Sequence, residues 1–352
     1  MPPAIIRRPL TITAWLLLST FSLVLSPVLL ALGTLASRLT GRPQPKWLAR
    51  LLIAYCTREL GGILAAGGLW LASGCGAGMQ WPRIQEAHYR LLGWYVRGLA
   101  ERVLTLLDLD VRSELTPEVA EVLAADRPLI FLSRHAGPGD TLLLIDQLLS
   151  RYDRYPSVVF KQTLTIDPCL DLIGHRLPHA VLDTSEAAES EARIEEITSE
   201  LGPRGVLVIF PEGGNFTPER RRRALRHLRR KGHRREARAG EQMTHMMPPH
   251  PSGALAAFRG NPAADVLFSA HTGLGLAAFP GQLWRQTPVS QTLRTHLWLA
   301  PSSDRPEHPD EQVRWLYDWW RRLDEWVEEK GEPVGRPELP EPPTGGSRAR
   351  AS

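Results

Sequence analysis

Short apolar runs and helical repeats alternate along the middle of the chain. The helical repeats, for example over residues 185–201, place apolar side chains three or four positions apart, as one face of a helix requires. The apolar runs are typical of buried strands and read PLIFL (128–132), SVVF (157–160), GVLVIF (205–210), ADVLFSAHTG (264–273) and RTHLWLA (294–300). Strands that alternate with helices indicate an α/β fold. We therefore predict a mixed sheet covered by helices.

Amphipathic helices are predicted on both sides of this region. Residues 82–107 carry apolar residues at helical spacing, and Thr116 precedes a further helix as a candidate N-cap. Residues 309–331 read as a closing helix, whose aromatic residues include Trp315, Tyr317, Trp319, Trp320 and Trp326. Aromatic residues concentrate at membrane interfaces, but several of these share one helical face, which favours packing.

The N-terminal region contains the longest uncharged segment. Residues 12–33 carry no charge and are long enough to cross a hydrocarbon core of ~30 Å. Arg7 and Arg8 precede the segment, so a cleaved signal peptide is the alternative, but the apolar part exceeds the ~7–15 residues usual for one. We predict a membrane helix here.

A second uncharged segment, residues 60–81, is rich in Gly and Ala and suits a helix in lipid or one in a soluble core. Basic residues, among them Arg38, Arg42, Lys46 and Arg50, lie between the two segments. With the folded domain on the cytoplasmic side, a full hairpin would put this basic loop outside, against the positive-inside tendency. We therefore predict an anchor over residues 1–81, either one span or a shallow two-helix motif in the interface. A folded domain over 82–331 and a disordered Pro/Gly/Ser-rich tail over 332–352 follow.

Composition adds two constraints. The chain has 352 residues, of which 43% are hydrophobic, and Lys plus Arg exceed Asp plus Glu by only 42 to 38. The three cysteines, Cys56, Cys75 and Cys169, are isolated in the sequence, so a disulfide scaffold is not predicted. Their spacing instead indicates a reducing compartment. The sequence contains no GxSxG motif, Walker loop or dinucleotide-binding fingerprint.

The first candidate for chemistry is SRHAGPGD, residues 133–140, directly after the strand PLIFL. The Gly/Pro-rich turn can fold the carboxylate of Asp140 onto the imidazole of His135. A carboxylate bonded to one ring nitrogen makes the other more basic, so that it can remove a proton from an alcohol. Because no nucleophilic Ser or Cys motif is present, we infer direct transfer to a substrate hydroxyl. The alternative is structural: Asp140 caps a helix and His135 fills a loop.

The second candidate is VLVIFPEGGNFT, residues 206–217, which again follows a strand with an acid and a polar turn. Gly213 and Gly214 would let backbone N–H groups approach an anion, and Glu212 at a strand end can bind a hydroxyl or orient the site. Taken alone, PEGG is a common loop.

Together these motifs resemble the glycerolipid acyltransferase family, the enzymes that acylate glycerol 3-phosphate and lysophosphatidic acid. HAGPGD is similar to the family's HxxxxD block, and FPEGGNFT to its FPEG block. Between them FKQTLTIDPCLDLIGHRLPHAVLD resembles the block that runs from a lysine to an apolar-Asp ending, and MPPHPSGALAAF and ADVLFSAHTG resemble later segments. The likeness covers roughly residues 128–273.

The resemblance implies that His135 is the general base on the acceptor hydroxyl and that Asp140 orients it. The acyl donor would be a thioester of coenzyme A or acyl carrier protein, with no bound cofactor and no metal. Glu212, Gly213 and Gly214 would bind the acceptor. The candidates to bind its phosphate would be Lys161, Arg176 and Arg220, because a phosphate is recognised by fixed cations. Lys161 could equally be a solvated strand end.

Two departures from the family pattern weaken the assignment of the acceptor. Asn215 stands where the family often has an arginine, and Asp183 is followed by Thr184 where an Asp-Arg pair is common. The basic run over residues 218–238 offers compensating cations for the acceptor phosphate, anionic lipid headgroups or nucleic acid, and the alternative is a solvated helix surface. We predict acceptor or membrane contact for its first arginines and solvent exposure for the rest.

The leading hypothesis is a membrane-bound acyltransferase that converts lysophosphatidic acid to phosphatidic acid, on the cytoplasmic side of a bacterial plasma membrane. Its partners would be a lysophospholipid, an acyl thioester and the bilayer, with no nucleic acid. The alternatives are another lysophospholipid or glycerol 3-phosphate as acceptor, or a non-catalytic anchored protein that binds lipid or nucleic acid.

Overall fold

Seven strands form one sheet in the computed structural model, which describes residues 3–137, 139–182, 187–273 and 292–331. The strands are β1 Asp110–Glu114, β2 Leu129–Ser133, β3 Tyr155–Lys161, β4 Ala180–Leu182, β5 Gly205–Ile209, β6 Asp265–Thr272 and β7 Thr292–Ala300. The five strands predicted from apolar runs are confirmed. The pattern does not predict β1, which alternates half-buried and exposed positions, or β4, which has three residues.

The sheet is mixed, as predicted, in the order β1-β7-β6-β2-β5-β3-β4. The five strands from β6 to β4 are parallel to their neighbours, whereas β7 is antiparallel to β6. Leu129 of β2 pairs with Val206 of β5 and with Asp265 of β6, so these three strands start at the same level, and β6 runs three residues beyond the end of β2. The segments that follow β2, β5 and β6 therefore meet at one edge of the sheet.

Helices cover both faces of the sheet. In the described part of the chain they are α1 Ala4–Val24, α2 Ser26–Thr40, α3 Gln44–Ala72, α4 Pro82–Leu107, α5 Pro117–Ala124, α6 Asp140–Ser150, α7 Pro168–Gly174, α8 Ala187–Ser199, α9 Pro218–Arg230, α10 Arg234–Glu241, α11 Pro251–Gly260 and α12 Pro309–Lys330. Thr116 caps α5 as predicted, because its side chain accepts from the Val119 N–H.

Each face of the sheet has its own apolar core. On one face α8, α11 and α12 pack on inward residues such as Leu207 and Phe268. On the other face α3 to α7 pack on residues such as Phe131 and Val206. The aromatic residues of α12 belong to the first core: Trp320 is fully buried, and the ring of Trp319 stacks on Phe268 at 4.6 Å. Packing therefore accounts for this aromatic cluster.

The N-terminal helices differ from the predicted single span. The apolar segment 12–33 does not form one helix, because Leu25 separates α1 from α2 and the two axes differ by 66°. Pro27 lacks an N–H group and clashes with the preceding turn, which explains the break. Of the described helices, none alone combines the length and apolarity needed to cross a bilayer, and α1 and α2 meet that test only as a bent pair.

The N-terminal helices are attached to the domain by buried polar contacts. Arg7 and Arg8 of α1 bind the carboxylate of Asp171 in α7 at 2.8 and 2.9 Å. Glu59 of α3 accepts hydrogen bonds from the Cys169 N–H at 3.0 Å and the Tyr95 hydroxyl at 2.9 Å. The predicted domain boundary at residue 81 is therefore crossed by specific contacts between buried groups.

Many apolar side chains of α1 and α2 nevertheless remain exposed. They are Ile5, Ile6, Leu10, Leu17, Leu18, Phe21, Val24, Val28, Leu30, Leu32, Leu35 and Leu39. In α3, Leu48, Leu64, Trp70 and Leu71 are also exposed. Such a concentration of exposed apolar surface is typical of an interaction with lipid or another protein. The tail 332–352, predicted to be disordered, lies outside the described residues.

Candidate active site

The ends of three neighbouring strands bring together the residues from separate motifs. His135 lies two residues after β2, Glu212 lies three residues after β5, and His271 is near the end of β6. Because β2 lies between β5 and β6, its end is the centre of the arrangement. The two sequence motifs therefore lie at the ends of adjacent strands.

His135 and Asp140 form a close pair. The Nδ1 atom of His135 lies 3.0 Å from each carboxylate oxygen of Asp140. The carboxylate is buried, whereas the imidazole side chain is 21% exposed and packs on Phe210, with a distance of 4.8 Å between ring centroids. The Nε2 atom makes no hydrogen bond to any described residue. A neutral imidazole that donates from Nδ1 to the carboxylate carries its lone pair on Nε2, which is the form needed in a general base.

The carboxylate of Asp140 is also held by its own turn. It accepts hydrogen bonds from the backbone N–H groups of Ala136 at 2.8 Å, Gly137 at 3.1 Å and Thr141 at 2.7 Å. Burial alone would raise the pKa of Asp140, but the hydrogen bond from His135 and the nearby imidazole of His271 outweigh it and hold this pKa well below the usual range. Asp140 is therefore ionised at neutral pH. It closes the turn and faces the imidazole at the same time, so the structural and catalytic interpretations are compatible.

Glu212 connects the two motifs through the backbone. Its carboxylate is buried and accepts from the His135 N–H at 2.9 Å and from the Met247 N–H at 3.0 Å. Burial raises the pKa of Glu212 to about 7, although the nearby Arg134 guanidinium and both N–H groups oppose the shift. Both oxygens are thus engaged by the protein, and binding of the acceptor by this carboxylate stays a prediction.

Arg134 is a site residue that the motifs did not reveal. Its guanidinium is buried and donates to the backbone oxygens of His271 and His245, the latter at 3.0 Å. It thereby ties the end of β6 and the 242–250 loop to the residue before His135. The signal in the sequence is a lone arginine between an apolar strand and the histidine, a position where a charge needs buried partners.

The glycine pair shapes the turn after β5. Gly213 has φ of 65°, a left-handed conformation that favours glycine. A Cβ atom at Gly214 would lie 3.0 Å from Nη1 of Arg220, because this guanidinium folds back over the turn and donates to the Asn215 oxygen at 3.0 Å. The exposed Arg220 at the start of α9 therefore lies beside the second motif, where the resemblance expects a cation.

The two other predicted phosphate ligands are less informative. Arg176 is half-buried and donates to the Ala66 oxygen at 2.6 Å, and it lies 3.3 Å from His88 Nε2, so its observed contacts join the domain to α3 and α4. Lys161 ends β3 at the same edge of the sheet, but its side chain lies outside the described part of the structure. Asp183 and Thr184 lie outside it as well.

The basic run over residues 218–238 is partly used in packing. Arg221 donates to the backbone oxygens of Gly240 and Glu241, and Arg229 pairs with the Glu241 carboxylate at 2.6 Å. Arg222 and Arg223 are exposed on α9. Among the residues that the structure describes, no cluster of His, Cys, Asp and Glu side chains is arranged to hold a metal ion.

Comparison with known proteins supports the motif assignment. Residues 114–249 match the family model described as Acyltransferase, and this segment contains His135, Asp140 and Glu212. The match supports the acyltransferase prediction for residues 114–249. No curated protein sequence matches the chain. Among solved structures, the crystal structure of the 1-acyl-sn-glycerophosphate (LPA) acyltransferase PlsC from Thermotoga maritima is similar, with 13% identity, a TM-score of 0.49, and coverage of 79% of this chain and 100% of that chain.

Proposed function

We propose that this protein is a membrane-associated O-acyltransferase that moves a fatty acyl group from an acyl thioester to the free hydroxyl of lysophosphatidic acid. The observation that carries the proposal is the His135–Asp140 pair, in which a buried carboxylate faces Nδ1 and the ring remains partly exposed. The pair lies within the segment that matches the acyltransferase family. The product would be phosphatidic acid.

The reaction needs one base and no covalent enzyme intermediate. His135 Nε2 takes the proton of the acceptor hydroxyl as its oxygen attacks the thioester carbonyl carbon. The Asp140 carboxylate at 3.0 Å stabilises the imidazolium that forms. As the tetrahedral intermediate collapses, the carbon–sulfur bond breaks and the imidazolium returns the proton to the departing thiolate. The acyl chain is then an ester of the acceptor, and the base is regenerated.

The acceptor assignment rests on cations beside the second motif. Arg220 lies over the Gly213–Gly214 turn, and further exposed arginines follow it on α9. A phosphate monoester would be recognised by such fixed guanidinium groups. Lysophosphatidic acid, another lysophospholipid and glycerol 3-phosphate all offer a phosphate and a free hydroxyl, so they are compared in the test.

Membrane association is supported by the exposed apolar side chains of α1, α2 and α3. The bent pair of α1 and α2 suits the shallow two-helix motif better than a straight span. An interfacial position would bring the active site to amphiphilic substrates, whose acyl chains partition into the bilayer. We place the protein at a bacterial plasma membrane with the site on the cytoplasmic side.

The test is an assay of the purified full-length protein in lipid nanodiscs. Radiolabelled palmitoyl-coenzyme A and palmitoyl-acyl carrier protein are each offered with lysophosphatidic acid, other lysophospholipids or glycerol 3-phosphate. We expect labelled phosphatidic acid, which His135→Ala should abolish and His308→Ala, a change at an exposed residue, should not. Absence of acyl transfer to every acceptor, or full activity of His135→Ala, would reject the proposal in favour of a binding protein. Steep salt dependence of lipid or nucleic-acid binding through Arg220–Arg223 would then be expected.

A further inference from the structure

A second histidine, at the end of the neighbouring strand β6, approaches the Asp140 carboxylate. His271 lies on β6, which pairs directly with β2. Its Nε2 atom is 3.4 Å from Oδ2 of Asp140, and the side chains of both residues are buried. The carboxylate therefore lies between two imidazoles, with His135 at one side and His271 at the other. His271 is outside the segment that matches the family model.

The surroundings of His271 do not explain a histidine on packing grounds. The 3.4 Å contact between Nε2 and Oδ2 of Asp140 is long for a hydrogen bond, and within the described part of the chain neither ring nitrogen has any other polar partner, although both are shielded from solvent. Burying an imidazole without partners is unfavourable, and an apolar residue would fill the same space without that penalty. A cavity of about 40 Å³ adjoins the ring and Asp140, and its polar lining includes Ser133, Gln147, Ser269 and Thr295. This volume exceeds the ~10–15 Å³ that one water needs, so the cavity has room for a water beside the ring and Asp140.

We propose that His271 is a positioning residue for the catalytic pair, with its Nε2–H directed at Asp140 Oδ2. The contact holds the plane of the carboxylate so that its oxygens face His135 Nδ1. It also disperses part of the negative charge of the carboxylate, which makes Asp140 a weaker partner for the imidazolium of His135. We expect loss of this contact to strengthen the interaction between the Asp140 carboxylate and the imidazolium of His135. This inference rests on the proposed function.

The charged and titratable groups around His271 are few. Asp140 faces it from α6, and Tyr152 lines the same cavity after the end of that helix. His135 and Arg134 approach from the segment after β2, and the Arg134 guanidinium binds the backbone oxygen of His271. From β7 the paired residue is the uncharged Thr295. Asp140 is thus the one carboxylate in this described set whose charge His271 can disperse.

The experiment compares two substitutions that differ in one property. His271→Leu fills the space and removes the donor, whereas His271→Gln keeps an N–H that can reach Oδ2 and cannot titrate. We expect His271→Leu to lower kcat about tenfold or more with KM unchanged. The acidic limb of the pH profile of kcat/KM should shift to higher pH by about half a unit. His271→Gln should restore most of the kcat and shift the limb less.

A second readout does not depend on turnover. The pKa of His135 is measured by NMR of protein with ¹⁵N-labelled histidine, and it should rise in His271→Leu and stay near the wild-type value in His271→Gln. If the leucine variant does not fold, His271→Asn replaces it, since its amide is too short to reach Asp140. An unchanged His135 pKa in the variant without a donor, or a lower melting temperature with an unchanged pH profile, would overturn the inference. Failure of the proposed function is distinct, because the wild-type protein itself would then transfer no acyl group.

Discussion

Replacement of Asp140 by asparagine tests the chemistry of the site with a change of only one atom. In the protein, the carboxylate accepts from the imidazole of His135 and from three backbone N–H groups. Asparagine can accept with its oxygen, but its amide NH₂ must face at least one of these donors. If the NH₂ faces Nδ1 of His135, the ring proton is driven to Nε2, and the imidazole can no longer act as a base.

The size of the effect follows from the distance between the two groups. An imidazolium 3.0 Å from a carboxylate is stabilised by about 5 kcal/mol at an effective dielectric constant of ~20. A neutral amide would retain a hydrogen bond worth about 1 kcal/mol. The barrier to acyl transfer should therefore rise by about 4 kcal/mol, which lowers kcat about 10³-fold. The mismatched backbone N–H groups should also lower the free energy of unfolding by about 1–3 kcal/mol.

The assay follows thiol release from an acyl-coenzyme A in the presence of lysophosphatidic acid, at a temperature well below the unfolding transition of each protein. The matched control is Asp146→Asn on the same helix, whose carboxylate accepts from the Ser150 hydroxyl at 2.8 Å and does not approach the site. We expect wild-type kcat in the control. A kcat of the Asp140→Asn variant within threefold of wild type would refute the reasoning, since no base could then depend on this carboxylate.

Three further predictions concern stability. Burial raises the pKa of Glu212 to about 7 from an ordinary 4.5. The contribution of Glu212 to the free energy of unfolding is therefore complete below the unfolded pKa and disappears as pH rises through about 7. Glu212→Gln should flatten this pH dependence by up to roughly 3 kcal/mol in denaturant titrations from pH 4 to 8, and an unaltered pH dependence would contradict the assignment. The buried Arg154 guanidinium donates to five backbone carbonyl groups. Arg154→Met should therefore lower the free energy of urea unfolding by about 3–5 kcal/mol, against little change for the exposed neighbour Arg151→Met. Asp171→Asn weakens the ion pairs that hold α1, so hydrogen exchange in α1 should accelerate while β2 stays protected, whereas unchanged exchange would show that the apolar contacts suffice.

Local patterns in the sequence were enough to predict the strands and the first pair of site residues. The runs that became β2 and β5 are almost continuously apolar, and β6 is apolar over residues 266–268, because strands covered on both faces favour apolar residues at most positions. His135 and Asp140 are five residues apart, so a single turn brings them together and no distant contact is needed. The N-terminal segment was a harder case. Its composition indicates a membrane helix, but Pro27 interrupts the helix. A hydropathy average does not take this break into account.

The remaining features depended on which strands became neighbours. His271 is 131 residues beyond Asp140 in the sequence, and it reaches that carboxylate only because β6 pairs with β2. Likewise Glu212 binds the His135 N–H because β5 lies on the other side of β2. The order of strands in a sheet is decided by how both cores pack, a global balance of free energies that no short window contains. The chain therefore encodes the reacting pair locally, whereas the residues that hold and tune the pair are assembled only in the folded sheet.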